Sequence, residues 1–304
     1  MAVGDVFEID ACTDLFYLDN GAFDVPFYGG VYLVDAARPA LVETGMGANV
    51  ERVLDLLDVA GVAPADLGAI LLTHVHLDHA GGAGLLASRC PNADVYVHEA
   101  GARHLVDPSR LVAGTKRAVG DQWQYYADPA PVPADRVVEV TDGDAVSLGD
   151  RTLTAHHVPG HAPHQVVYHD DRDDAVFTGD AAGIWVPPVD DVVPTTPPPQ
   201  FDLEQALADV ETIRGLDPSH LLFTHFGPGP DDVSGVLDDY RETLQAFVAA
   251  VREARAALDD DAAVVDRVTG GDLPAAAAWG DRKARAETAM NVRGVLRYLD
   301  TSPV

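Results

Sequence analysis

Short apolar runs bounded by glycine, proline or aspartate recur along the first 230 residues of the chain. Runs of this length and setting are typical of buried β-strands. The predicted strands are Gly30 to Val34, Ala40 to Val42, Ala69 to Leu72, Val95 to Val97, Val137 to Val140, Ala145 to Leu148, Leu153 to Val158, Gln165 to Tyr168, Ala175 to Phe177 and Leu221 to Phe223. Apolar residues at helical spacing predict helices at Val50 to Val59, at Ala80 to Ala87, from about Glu99, and from Asp202 to about Arg214. Strands and helices that alternate in this way favour a layered α/β sandwich.

Two segments break this pattern. The first, Leu105 to Pro133, carries four prolines, and we interpret it as a partly helical excursion that could act as a lid. The second, Pro187 to Pro199, holds six prolines in 13 residues. Proline has no N–H to donate to a sheet or helix, so this segment is predicted to be a loop.

The chain turns helical and alanine-rich after Pro230. Its periodicity predicts one helix from about Val233 to Leu258 and another from about Ala275 to Leu299, with a glycine-containing loop between them. We therefore expect a main domain over residues 1–230 and a C-terminal helical extension over residues 231–304. The extension could cap a site on the main domain or form the interface of a homodimer, and the pattern permits both.

The charge balance is strongly acidic. There are 49 Asp and Glu against 20 Lys and Arg, a formal net charge of −29; 39 of the acids are Asp, and only two residues are Lys. Molar salt shortens the Debye length to about 3 Å and would screen the self-repulsion of such a surface. The Asp excess resembles that of haloarchaeal proteins and indicates a high-salt cytoplasm. It also argues against nucleic acid or an anionic membrane as a partner, since both need a basic patch; the short basic segment Arg282 to Arg285 is interpreted as a solvated helix face.

Cysteine usage and the N-terminus indicate a reduced, cytoplasmic setting. Cys12 and Cys90 are too few for a disulfide framework and have no metal-ligand spacing, so both are predicted to be small core residues. Asp5 and Glu8 stand where a signal peptide needs positive charge, and no stretch approaches 18 apolar residues.

The candidate chemistry begins with three histidines and an aspartate within residues 74–79. In an extended loop, side chains two positions apart point the same way, so His74 and His76 can face one metal ion. If a helix begins at Asp78, then Asp78 and His79 turn toward a second position nearby. Imidazole and carboxylate suit zinc or iron, and the preceding buried strand would hold the ligands rigidly.

This run resembles the HxHxDH motif of the metallo-β-lactamase superfamily. Three later segments are similar to those that complete the family's ligand set: Val158 to His161, Phe177 to Asp180, and Leu222 to His225. The resemblance covers residues from about 5 to 230 and implies a four-layer αββα sandwich. It also implies two divalent metal ions, with zinc expected and iron or manganese open. One ion takes His74, His76 and His161, the other takes Asp78, His79 and His225, and Asp180 and a hydroxide bridge them.

Two residues depart from the family pattern. Glu43 stands where many members have aspartate, a position that normally braces the ligands without touching the metal. His164 stands where many members have glycine; it could contact the substrate or brace a ligand, or equally be a surface loop residue. The remaining histidines have no ligand spacing.

The resemblance implies hydrolysis of an ester, thioester or lactone of a small molecule. Two metal ions about 3.5–4 Å apart can lower the pKa of a shared water toward about 7, and Asp78 and Asp180 are the catalytic carboxylates, Asp78 as a proton donor to the leaving group. A persulfide dioxygenase-like oxidoreductase with one iron is the alternative, followed by a phosphodiesterase or nuclease, which the acidic surface disfavours. Flavodiiron, exported β-lactamase and purely structural roles fit the motif less well. The aromatic candidates for gripping a substrate are Phe27, Tyr28, Trp185 and Phe226, for each of which core packing is the other reading.

Overall fold

The computed structural model describes residues 2–301. Its first seven strands are β1 (Val6–Glu8), β2 (Leu15–Asp19), β3 (Gly30–Val34), β4 (Ala40–Val42), β5 (Ala69–Leu71), β6 (Asp94–His98) and β7 (Val137–Val140). They form one sheet in that order, antiparallel from β1 to β4 and parallel from β4 to β7.

The later strands form a second sheet and a hairpin. They are β8 (Ala145–Ser147), β9 (Thr152–His157), β10 (Val166–Asp170), β11 (Ala175–Gly179), β12 (Ile184–Val186), β13 (Asp191–Val193), β14 (His220–Phe223) and β15 (Gly227–Pro228). The second sheet has the order β15-β14-β11-β10-β9-β8, and β12 pairs with β13 as the hairpin. Tyr32 on β3 donates a 2.6 Å hydrogen bond to the carbonyl of Phe223 on β14, which joins the two sheets near one end.

Helices cover the outer faces of both sheets. They are α1 (Val50–Ala60), α2 (Leu77–Ala80), α3 (Ala83–Arg89), α4 (Glu99–Val106), α5 (Ser109–Val119), α6 (Leu203–Gly215), α7 (Val233–Ala257), α8 (Asp261–Thr269) and α9 (Ala276–Thr301). Within residues 2–301, no helix is both long and apolar enough to cross a lipid bilayer.

The hydrophobic core is divided by the sheets into layers. On β10, Val166 and Tyr168 face the other sheet, whereas Val167 between them faces the helices. On β5, Ala69 and Leu71 also face the second sheet. Because side chains alternate across a strand, each buried strand contributes to two layers at once. Helix, sheet, sheet and helix thus form a four-layer α/β sandwich, which confirms the layered pattern predicted from the sequence and the four layers that the resemblance implies.

The C-terminal helices pack against the second sheet. Apolar residues of α7, α8 and α9 share one buried cluster with Val176 of β11 and Phe223 of β14. Asp260 accepts a hydrogen bond from the backbone N–H of Ala263 and so caps α8. The sequence predicts only a loop where α8 lies, because its nine residues are too few for a clear helical period.

Two further details differ from the prediction. The segment Pro187 to Pro199 is not a loop throughout: Pro187–Val189 forms a short 3-10 helix, and β13 follows it. The three residues of β13 contain no proline, so they can pair with β12. The hydrophobic pattern also misses β1 and β2, since β1 is only partly buried and β2 ends on the buried Asp19. Cys12 and Cys90 are buried and free, as predicted.

Candidate metal centre and its pocket

All seven ligands predicted from the sequence meet at one edge of the sandwich, where the two sheets approach each other. Each follows the end of a strand: the run from His74 follows β5, His161 follows β9, Asp180 follows β11 and His225 follows β14. Helix α2 begins at Leu77, which turns Asp78 and His79 away from the extended pair before them. Three sets of side chains each bring their potential ligand atoms within 4.8 Å of one another. These sets are His74 with His76 and His161, His74 with His79 and Asp180, and Asp78 with His79 and His225.

The first group is a triangle of ring nitrogens. His76 Nδ1 lies 3.0 Å from His74 Nε2 and 3.0 Å from His161 Nε2. Ligand atoms that each lie about 2.05 Å from a tetrahedral zinc ion are about 3.3 Å apart, which is close to the separations of these ring nitrogens. Burial lowers the pKa of His76 to about 3 and also lowers the pKa of His74 and His161. All three rings are therefore neutral at pH 7 and have a lone pair available.

Asp180 joins this triangle to the second group. Its Oδ2 lies 3.2 Å from His161 Nε2, and its Oδ1 lies 3.2 Å from His79 Nε2 and 3.5 Å from His225 Nε2. Burial would raise the pKa of Asp180, but His161, His79 and His225 hold it below its ordinary value. One ionised carboxylate thus faces both groups of histidines.

The donor set fits divalent metal ions. Asp180 Oδ1 is buried and has no hydrogen-bond partner among the described residues, and a buried charged oxygen is costly unless something satisfies it. Burial alone would lower the pKa of His79, but Asp180, Glu43 and Asp78 raise it well above its ordinary value. The space between these groups therefore stabilises positive charge, as a cation site requires.

Neighbouring groups fix the orientation of the histidine rings. His79 Nδ1 lies 3.2 Å from Glu43 Oε1, His161 Nδ1 lies 3.2 Å from the carbonyl of Thr195, and His225 Nδ1 contacts the carbonyl of Tyr28. Such partners hold the other ring nitrogen toward a metal. Glu43 therefore holds the ring of His79 in place, in the position that the resemblance implies for it.

Gly160 sets the position of His161 in the turn after β9. A Cβ at Gly160 would lie 2.2 Å from the backbone nitrogen of Ala206 and 2.3 Å from its Cα. The backbone N–H of Gly160 donates a 2.6 Å hydrogen bond to the carboxylate of Asp209, which lies on α6 together with Ala206. Only glycine allows the turn to approach α6 this closely.

Gly160→Ala is expected to lower the free energy of unfolding by about 3 kcal/mol or more, because backbone atoms must separate to admit the methyl group. The displaced His161 should also reduce metal content. Urea unfolding and metal analysis measure the two effects. Gly215→Ala on α6 is the matched control, since its Cβ would meet nothing within 4 Å; equal stability of the two variants would contradict the prediction.

Five of the seven residues line a pocket of about 580 Å³: His76, Asp78, His161, Asp180 and His225. Tyr28 lines it, whereas Trp185 packs in the core beside α7, and Phe226 packs against Tyr17 and Phe27. His164 is buried and also lines the pocket, with its ring stacked 6.0 Å from that of His74. The reading of His164 as a surface loop residue is therefore wrong.

The C-terminal helix α9 supplies one wall of the pocket. Lys283 is buried, so its interpretation as part of a solvated helix face is wrong. Its Nζ lies 2.7 Å from Glu287 Oε2 and sits 3.5 Å from the ring centre of Phe23 and 3.8 Å from that of Tyr28. The hydroxyl of Tyr28 donates to the same Glu287 oxygen at 2.9 Å. The only signal in the sequence is the rarity of lysine, which did not indicate where this one lies.

Residues 25–225 match the sequence model of the metallo-beta-lactamase superfamily. A metallo-beta-lactamase fold-containing protein of Sulfurisphaera tokodaii is 27% identical over 225 residues, which cover 71% of this chain and 79% of that protein. The acyl-coenzyme A thioesterase MBLAC2 of Gallus gallus is 30% identical over 185 residues, covering 55% of this chain and 62% of the thioesterase.

Solved structures show the same fold. The crystal structure of an archaeal metallo-beta-lactamase superfamily protein from Sulfolobus tokodaii has a TM-score of 0.72 at 22% identity, covering 94% of this chain and 99% of that one. A metallo-beta-lactamase family protein from Thermus thermophilus has a TM-score of 0.61 at 22% identity, with 90% and 88% covered.

Proposed function

Because this chain belongs to the metallo-beta-lactamase superfamily, we propose that it is a dinuclear metal-dependent hydrolase that cleaves a thioester, or a related ester, of a small molecule. The observation that carries the proposal is the convergence of seven ligand side chains in two groups that share Asp180. A pocket of about 580 Å³ opens above them, a size that suits a small molecule.

The ligand assignment follows from the two groups. His74, His76 and His161 would hold one ion, and Asp78, His79 and His225 would hold the other, with Asp180 shared. Mixed imidazole and carboxylate ligands favour zinc. Bound divalent ions would supply a water of lowered pKa as the nucleophile and would polarise the carbonyl oxygen of a substrate.

The protein's own residues orient the substrate and handle the proton. Tyr28, His164 and Lys283 line the pocket and restrict how a substrate can enter. The side chain of Asp78 is 20% exposed, against 7% for Asp180, so Asp78 is the carboxylate that faces an entering substrate. His79 and His225 lower the pKa of Asp78 despite its burial. Asp78 is thus ionised at rest, so its carboxylate can accept the proton that the attacking water releases and pass it to the leaving group.

Similarity to a named thioesterase favours a thioester among the candidate bonds. The relative from Gallus gallus is an acyl-coenzyme A thioesterase, and the aligned region of this chain covers 62% of its length. Similarity over the aligned region supports the proposal of thioester hydrolysis. The remainder of the thioesterase lies outside the alignment.

Metal analysis followed by a substrate panel tests the proposal. We expect two divalent ions per chain and hydrolysis of thioesters faster than of lactones or phosphodiesters. One iron per chain with oxygen uptake would overturn the hydrolase in favour of a dioxygenase. Dimetal protein that leaves every thioester and ester intact would contradict the proposed substrate.

Asp78→Asn tests the proton transfer. A general acid contributes about 10²–10⁴-fold where the leaving group needs a proton, so the variant should lose more activity on alkyl esters than on thioesters or aryl esters. Rates are compared as a ratio at equal metal content, because Asp78 is itself an assigned ligand. Equal slowing of good and poor leaving groups would count against the role.

A further inference from the structure

Three arginines line the mouth of the pocket on the side of α4 and α5. Arg103 lies on α4, and Arg110 and Arg117 lie on α5. The last two are seven residues apart, so they share one face of the helix about 10 Å apart along its axis. All three are exposed.

These arginines lack acidic partners. Within residues 2–301, none of them has a carboxylate oxygen within 4.0 Å, although the chain carries 49 acidic residues. The nearby acids are engaged elsewhere: Asp107 accepts from the N–H of Ser109, and Asp121 faces Arg282. The mouth of the pocket is therefore a local positive surface on a protein with a net charge of −29.

The pKa of His104 is sensitive to the charge of the same arginines. It lines the pocket beside Arg103, whose Nε lies 3.3 Å from His104 Nε2. Burial, followed by Arg103 and Arg110, lowers the pKa of His104. Burial disfavours any charge here, whereas the contributions of Arg103 and Arg110 disfavour a cation and favour an anion.

Helix α5 is placed to cover whatever enters the pocket. It has no buried residue, yet Arg110, Leu111 and Ala118 face the pocket. An acidic surface repels anionic molecules in general, so an anionic substrate needs a local basic patch at the point of entry. Guanidinium groups also match phosphate oxygens in a bidentate way.

We propose that Arg103, Arg110 and Arg117 bind the phosphate groups of a thioester whose thiol carrier bears several phosphates, with the acyl group directed toward Asp78. This rests on the proposed function and adds the chemical class of the carrier. Three guanidinium groups, two of them on residues about 10 Å apart along α5, suit several negative charges better than one carboxylate. Coenzyme A has this chemistry, and its acyl thioesters serve as the probe.

The test compares an acyl-coenzyme A with the same acyl group on pantetheine, which keeps the thioester and lacks all phosphates. In Arg103→Gln/Arg110→Gln/Arg117→Gln, KM for the acyl-coenzyme A should rise at least about tenfold with kcat within about twofold. Acyl-pantetheine kinetics should not change. The wild-type preference for the phosphorylated substrate should shrink as ionic strength rises.

Arg252→Gln/Arg267→Gln/Arg297→Gln is the matched control. It removes the same charge from exposed positions on α7, α8 and α9 that do not line this pocket, so both substrates should behave as in the wild type. Circular dichroism confirms that each variant is folded.

The outcomes separate this inference from the function. We call Arg103→Gln/Arg110→Gln/Arg117→Gln the rim variant. If thioesters are cleaved but the rim variant cleaves both substrates with equal change, the phosphate site is wrong and the hydrolase stands. The same conclusion follows if the rim variant is impaired only on a glutathione thioester, which carries carboxylates and no phosphate. If no thioester is cleaved, the proposed function fails, and calorimetric binding of free coenzyme A still tests the rim. Weaker binding by the rim variant than by the control variant supports the site, and equal binding overturns it.

Discussion

Replacement of Asp180 by asparagine is expected to lower turnover by more than about a hundredfold and to reduce the metal content of the chain. Loss of a group that merely supports a metal ligand costs about 10–100-fold. Asp180 is expected to contribute more, since its two oxygens lie 3.2 Å from His161 and 3.2 Å from His79, one in each group. The amide removes one negative charge and turns an N–H₂ toward ring nitrogens that should face a cation.

The measurement is metal per chain by atomic emission together with kcat on the best thioester. Asp190→Asn is the control, because Asp190 is exposed and adopts the left-handed conformation that asparagine tolerates well. Two ions per chain and near-normal turnover in Asp180→Asn would show that the carboxylate is not shared between two metals.

Lys283→Met is expected to destabilise the protein by about 3–5 kcal/mol. Lys283 and Glu287 form a buried ion pair at 2.7 Å, with the lysine held between the rings of Phe23 and Tyr28. Removal of one partner leaves the other charge buried and unpaired, and that is the costly event in such pairs. Urea unfolding of metal-free protein measures the effect without the stabilisation that bound metal adds.

The other lysine of the chain provides a matched control. Lys116 pairs with Asp128 at 3.7 Å and lies 4.5 Å from the ring centre of Trp123, but both members of its ion pair are largely exposed. Lys116→Met should therefore cost at most about 1 kcal/mol.

A double variant separates charge from packing. Lys283→Met/Glu287→Gln removes both charges and keeps an acceptor for the hydroxyl of Tyr28. It should recover most of the stability lost in the single variant. A single variant no less stable than Lys116→Met, or a double variant no better than the single one, would mean that the pair is not a buried charge pair in solution.

The first four candidate ligands can be predicted from the chain because they form a local signal, and the other three come from short segments that resemble those of a known family. His74 to His79 lie within six residues, and His161, Asp180 and His225 each end a recognisable apolar strand. The ligands follow β5 of the first sheet and β9, β11 and β14 of the second, so the packing of the two sheets brings them together. The layered α/β sandwich follows from the same alternation of strands and helices.

Residues that act on the ligands from a distance could not be predicted in the same way. Glu43 stood out only through resemblance, and the carbonyls of Thr195 and Tyr28 carry no side-chain signal at all. Arg103 and Arg117 are ordinary surface residues in sequence, and only the fold places them at one pocket mouth without acidic partners.

By itself, then, the sequence determined the layered α/β pattern and the cluster from His74 to His79, and its resemblance to a known family supplied His161, Asp180 and His225. The tertiary structure decided how the pocket is built: that α9 returns to the metal centre, that Lys283 is buried there, and that His164 lines the cavity instead of the surface. The physical reason is the separation along the chain between the residues that interact. The periodicity of single strands and helices and the spacing from His74 to His79 are set by neighbouring residues, whereas Lys283 meets Phe23 across 260 positions and is stabilised only after distant layers have packed together.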